Sequence, residues 1–160
     1  MLNKQLNWCF KIKDGLKFIE PNEDIAESYL SEAKISLKRA EAMLKEKDFL
    51  WATVIAYYAE YYALYSFLQK IGVKCENHFC SILAVKSLLG EEKTKVIEEH
   101  KDKRVDAQYY MKVVEGSAIN EMLKEAKKFV SEFDILYSNL TKDMIQSYRS
   151  SLAGQTDSSR

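Results

Sequence analysis

Apolar residues recur at spacings of three and four along most of this chain, and no segment alternates with the period of a strand. Pro21 and Asn22, followed by Glu23, Asp24 and Glu27, read as a helix start, because acidic side chains near a helix N-terminus meet the positive end of its dipole. From there Ala26, Tyr29/Leu30, Ala33, Leu37, Ala40 and Leu44 form one apolar stripe, so a helix is expected to about Lys47. Asp48 then caps a second helix that Gly72 ends. A connection this short forces the two into an antiparallel hairpin.

The second helix differs in kind. Phe49 to Leu68 carries a single formal charge, Glu60, and is apolar or aromatic on almost every side. Such a helix is either buried or membrane-spanning. A carboxylate near the middle would cost roughly 2.5–3.5 kcal/mol at a bilayer centre, and the five tyrosines are spread through the segment instead of gathered at its ends. A central helix surrounded by other helices or by a second subunit is therefore expected, with no membrane span. A third helix is expected to start at Asn77. It is followed by a charged helical stretch from Glu91 through Tyr110 and by a long helix capped by Ser117, with core positions from Ile119 to Leu140. Residues 1–149 are read as one all-α domain and 150–160 as a disordered tail without apolar period.

Charge narrows the function classes. Lys plus Arg equals Asp plus Glu at 24 each, and the balance is local: Glu91 to Arg104 holds five acidic and five basic side chains. No basic stripe of the kind that drives electrostatic nucleic-acid binding is visible. Three cysteines and no secretory leader point to a reducing cytoplasm with no disulfide. Cys75, His78 and Cys80 make a C-x2-H-x-C cluster, but a structural zinc site needs four ligands, and only Cys9 and His100 remain to complete one. No metal and no cofactor are expected.

The order of these helices, the phrase WATVIAYYAEYYALYSFLQKIGVKCENH and the later RVDAQYY resemble the HEPN family of small prokaryotic helical proteins. The likeness covers roughly residues 5 to 140 and includes the amino-terminal WCFKIKDGLKFIEPNEDIAESYL. It implies an up-and-down four- to five-helix bundle that homodimerises. It also implies a link to a minimal nucleotidyltransferase in a toxin–antitoxin arrangement, and binding of nucleotide or RNA. In active members an R-x4-6-H motif forms a ribonuclease site. Arginine stabilises phosphate charge there, and histidine moves protons near neutral pH.

Arg104 matches that arginine, but the positions of the histidine hold Tyr109, Tyr110 and Met111, and Val105 replaces the polar residue that usually follows the arginine. The chain thus resembles a subgroup lacking the histidine, and a non-catalytic component is expected. The alternatives are a metal-independent ribonuclease using Arg104 with His100 or His78, and a purely structural dimeric subunit. His100 lies four residues before Arg104, on the same helix face, either as a rearranged catalytic partner or on a solvated charged surface. His78, Glu60, Tyr61, Tyr109 and Tyr110 are the remaining candidates to line a cleft with Arg104, Glu60 also as a candidate to pair with it. Tyr109 or Tyr110 could also accept a nucleotidyl group, although in related systems the modified tyrosine falls where this chain has Met111.

Overall fold

The computed structural model describes residues 1–157. Seven α-helices build the described residues: α1 (Leu2–Lys11), α2 (Glu23–Lys45), α3 (Phe49–Ile71), α4 (His78–Leu89), α5 (Lys95–Tyr110), α6 (Ser117–Ser138) and α7 (Lys142–Asp157). A 3-10 turn, Glu91–Lys93, joins α4 to α5. The all-α bundle expected from the sequence is present, with more helices than the four or five foreseen.

The helix starts follow side-chain capping. Asn22 Oδ1 accepts from the Ile25 amide at 3.0 Å and Asp48 Oδ1 from the Trp51 amide at 3.2 Å, so each satisfies an amide with no partner inside its helix. Asn77 does the same for Cys80 at 3.1 Å. Asn77→Ala should lower stability by about 1 kcal/mol, read as a shift in the urea midpoint; an unchanged midpoint would mean that the cap contributes nothing. Ser117, expected to cap α6, is instead its first residue: Gly116, at φ 60°, holds the cap position and forms no side-chain bond.

The buried axis of the bundle is α3, which packs against α2, α5 and α6 and also touches α4 and α7. Its mid-helix residues from Ala56 to Leu68 are almost all removed from solvent, with Tyr57, Leu64, Phe67 and Leu68 fully so. No helix among the described residues is long and apolar enough to cross a membrane. Most of α3 is apolar because helices cover it on most sides, α2 and α6 with amphipathic stripes; the face with Trp51, Ile55, Tyr58 and Tyr62 stays partly open.

Three features depart from the sequence reading. A two-residue antiparallel strand pair, Lys17–Phe18 with Val73–Lys74, closes the end of α3; a segment this short cannot display a period of two. Cys9 and Cys80 are joined as a disulfide, which ties α1 to α4, so the expectation that all cysteines stay reduced is corrected. Their 71-residue separation hides a Cα–Cα distance of 5.6 Å. Residues 150–157, expected to be disordered, continue α7, with Leu152 fully buried; 158–160 lie outside the described residues.

The last helix also closes the end of α3. Arg149 Nη1 donates to the carbonyls of Ile19, Ile71 and Gly72 at 2.9, 2.9 and 2.8 Å. It thereby places a positive charge at the negative end of the α3 dipole. Gly72, at φ 78°, is required here: a Cβ would lie 2.1 Å from Arg149 Nη1 and 2.5 Å from the Ile19 carbonyl oxygen.

Candidate functional site

Helical spacing brings the site together. Ile97, His100, Arg104 and Ala107 are the buried residues of α5, separated by three, four and three positions, so they form the face that turns onto α3. On α3, Tyr57, Glu60, Tyr61 and Leu64, at i, i+3, i+4 and i+7, share one buried face. His100 and Arg104 do share a face, as expected, but that face points inward, and the solvated alternative is overturned. Burial here depends on which neighbour covers α5, information that its balanced charges do not carry.

The two residues lead to separate clusters. His100 and Glu60 are each fully buried, with His100 Nδ1 2.7 Å from Glu60 Oε1. His100 Nε2 faces Glu125 Oε2 of α6 at 3.5 Å. The imidazole is hydrogen-bonded to Glu60 alone: Nε2, although near Glu125, is buried without a hydrogen-bond partner. Glu60 Oε2 has no hydrogen-bond partner, and burial pushes the carboxyl up to about 7, against the lowering effect of the His100 hydrogen bond and charge. The suggested Glu60–Arg104 pair does not form; Glu60 is engaged by His100 instead.

Arg104 belongs to the aromatic cluster. Its guanidinium carbon lies 5.0 Å from the Tyr57 ring centre, 5.6 Å from Tyr58 and 5.9 Å from Tyr109. Nη1 donates to Gln108 Oε1 at 3.3 Å, whereas Nε has no partner. Arg104 is only 8% exposed, and no carboxylate within ion-pair distance is found for it among the described residues. A cation so placed is stabilised by ring faces and by its bonds to Gln108 and the Tyr57 side chain, with the buried Nε left over.

His78 opens α4 beside this cluster, as the third helix was expected to allow. Its Nδ1 lies 2.9 Å from the Tyr57 hydroxyl, and its ring stacks on Tyr61 at 3.8 Å. Burial, with the nearby charges of Arg104 and Lys101, lowers His78 from 6.5 to about 4. Burial also raises the Tyr57 phenol. The phenol therefore keeps its proton, and the hydroxyl and a neutral imidazole share one hydrogen bond. Tyr61 continues the chain to Ser81 Oγ at 3.0 Å. Of the proposed cleft residues, Tyr61, His78, Arg104 and Tyr109 come together, Tyr109 at the exposed margin. Tyr110 is also exposed and sits near Lys112.

Cys75, His78 and Cys80 separate into different roles. Cys80 is in the disulfide, His78 bonds Tyr57, and the buried Cys75 thiol donates to the Asn77 carbonyl at 3.3 Å. Sequence reasoning missed Tyr57, Tyr58, Gln108 and Glu125. Gln108 follows Arg104 by one helical turn and the tyrosines stand in the YYA run, so those three had a signal; Glu125 had none.

The model for the HEPN domain matches residues 26–136. This chain belongs to the HEPN domain family. No curated protein and no solved structure matches it. The HEPN match takes in α3 to α5, nearly all of α2 and α6, and every residue of the Arg104 and His100 clusters. Outside it stand α1 and α7, which this HEPN protein adds through the Cys9–Cys80 link and the Arg149 cap.

Proposed function

We propose that this protein is a non-catalytic, histidine-lacking HEPN component that binds a nucleotide or nucleic acid through Arg104. It acts as a homodimer beside a minimal nucleotidyltransferase in a toxin–antitoxin-type system. The observation that carries the reading is the guanidinium itself, held over three tyrosine rings with Nε unpartnered and no carboxylate to neutralise it. Phosphate oxygens are the natural complement of such a group.

The same geometry argues against proton transfer at this site. His100 has no solvent-accessible surface, and its Nδ1 is engaged by Glu60. His78, lowered to about 4, is a weak base at neutral pH.

Arg104→Ala should reduce binding of a fluorescent single-stranded oligonucleotide by at least about tenfold, while wild-type protein leaves RNA intact on prolonged incubation. Cleavage present in the wild type and absent in Arg104→Ala would overturn the non-catalytic assignment in favour of a ribonuclease. Equal binding by both proteins would remove Arg104 from the site, leaving the purely structural dimeric subunit as the better account.

A further inference from the structure

The first helix and its return loop meet the start of α4 at three points. Trp8 packs edge-on against Phe79 with ring centres 6.5 Å apart, Cys9 is bonded to Cys80, and Asp14 Oδ2 accepts from Asn77 Nδ2 at 3.4 Å. These contacts bracket His78, the first residue of α4, whose Nδ1 lies 2.9 Å from the Tyr57 hydroxyl, next to Arg104. We infer that the Cys9–Cys80 bond is a redox-operated strap: a dithiol that reduces it frees α1 and loosens the first turn of α4, so that His78, Tyr57 and Arg104 answer to the thiol–disulfide balance around the protein. Only the effect on ligand binding rests on Arg104 being a phosphate-binding group.

The step is a two-electron exchange. A thiolate of the dithiol attacks one sulfur, the S–S bond breaks, Cys9 and Cys80 end as thiols with two electrons and two protons gained, and the dithiol leaves as a disulfide. The segment held by the bond is weak without it. Helix α1 has ten residues, short of the length at which an isolated helix persists in water, about 12–15, and Met1 gives it no side-chain cap. Leu6 and Cys9 are its buried residues, so the bond is one of two buried anchors. The helix lies outside the matched residues 26–136, and α2, α5 and α6 keep their packing on α3 when it leaves. At the other end, Asn77 carries the motion: its Oδ1 caps the Cys80 amide at 3.1 Å, its Nδ2 binds Asp14, and its carbonyl accepts from the buried Cys75 thiol at 3.3 Å. Both bonded cysteines are fully buried, and two thiols need more room than the bond that joined them, which a close-packed interior does not offer. Trp8 and Phe79 are exposed above the bond and form the edge from which α1 lifts.

The chain has two tryptophans, so full-length Trp51→Phe protein reports on Trp8 alone. It is compared as purified in air and in excess dithiothreitol, with free thiols counted; the count should rise from one to three. Reduction is expected to shift Trp8 emission to the red and to speed amide exchange in α1 about tenfold or more, with α3 unchanged. The His78 imidazole, at about 4 in the bonded protein, should titrate nearer to 6.5 in the reduced one, followed by its proton resonance. Cys9→Ser should behave as the reduced protein without any reductant, and Cys80→Ser makes the same comparison from the α4 side. Three thiols before reductant is added, or a bond that resists dithiothreitol until the chain unfolds, would overturn the strap. Full reduction with Trp8 and α1 exchange unchanged would mark a passive staple, and equal acceleration in α1 and α3 would mark global unfolding; either overturns it. Release of α1 with His78 still at about 4 would show that the motion stops short of the site and overturn the coupling. Oligonucleotide affinity should fall about fivefold on reduction, the equivalent of one hydrogen bond. A wild type that binds no oligonucleotide in either form would remove the Arg104 reading and leave the strap to be decided by Trp8 and His78.

Discussion

Leu152→Ala should lower the unfolding free energy by about 3 kcal/mol, because it leaves a cavity under a fully buried side chain. Arg149→Ala should cost roughly 1–3 kcal/mol more, since the guanidinium serves three carbonyls at the end of α3 and leaves them unsatisfied when removed. For a chain of this size each kcal/mol moves the melting temperature by roughly 2–4 °C. Leu152→Ala should therefore melt on the order of 10 °C below the wild type by calorimetry. Deleting residues 141–160 should be more damaging still, because Ile145, Tyr148, Arg149 and Leu152 leave together. A truncated protein with an unchanged melting temperature would show that α7 is dispensable.

The second large effect is a reversal of pH dependence. Glu60 is raised from 4.5 to about 7 by burial, so its folded form holds a proton that the unfolded chain has released. That contribution to stability is fully present below about 4.5 and is lost as pH rises through about 7. His78 is lowered from 6.5 to about 4, so its contribution runs the other way: present above about 6.5 and lost as pH falls through about 4. The two slopes oppose each other between about pH 4.5 and 6.5 and largely offset in the wild type. For the fully buried Glu60 the shift corresponds to about 3 kcal/mol across its window; the His78 term is smaller, because solvent reaches part of the ring.

Glu60→Gln should then lose stability on acidification, whereas His78→Gln should gain it. Urea midpoints at pH 4.5, 5.5, 6.5 and 7.5 separate the cases. If Glu60→Gln kept the wild-type profile, the buried carboxyl would not be titrating in this range. The opposite signs are a stronger test than either magnitude, since a variant that merely loosens the core would shift all four midpoints in one direction.

Local chemistry was legible where it acts locally. Asn22, Asp48 and Asn77 cap the helices they were expected to open, and Gly72 closes α3 in the left-handed conformation that only glycine adopts cheaply. The inward face of α5 was less legible: His100 and Arg104 are surrounded in sequence by charges, and a balanced run reads the same whether one stripe of it is covered or not. The polar partners were least legible of all. Glu60 lies 40 positions from His100, and Tyr57 lies 21 from His78, separations at which sequence spacing says nothing about distance.

From the amino-acid order alone came the all-α bundle, the central position of the tyrosine-rich helix and the likeness to HEPN proteins, because periodicity, caps and motif order are properties of neighbouring residues. Tertiary packing decided that Glu60 pairs with His100 and not Arg104, that Cys9 meets Cys80, and that an apparently featureless tail becomes the helix closing α3. Those outcomes depend on which surfaces cover one another, and a buried charge or thiol takes whichever partner the packed helices bring within reach.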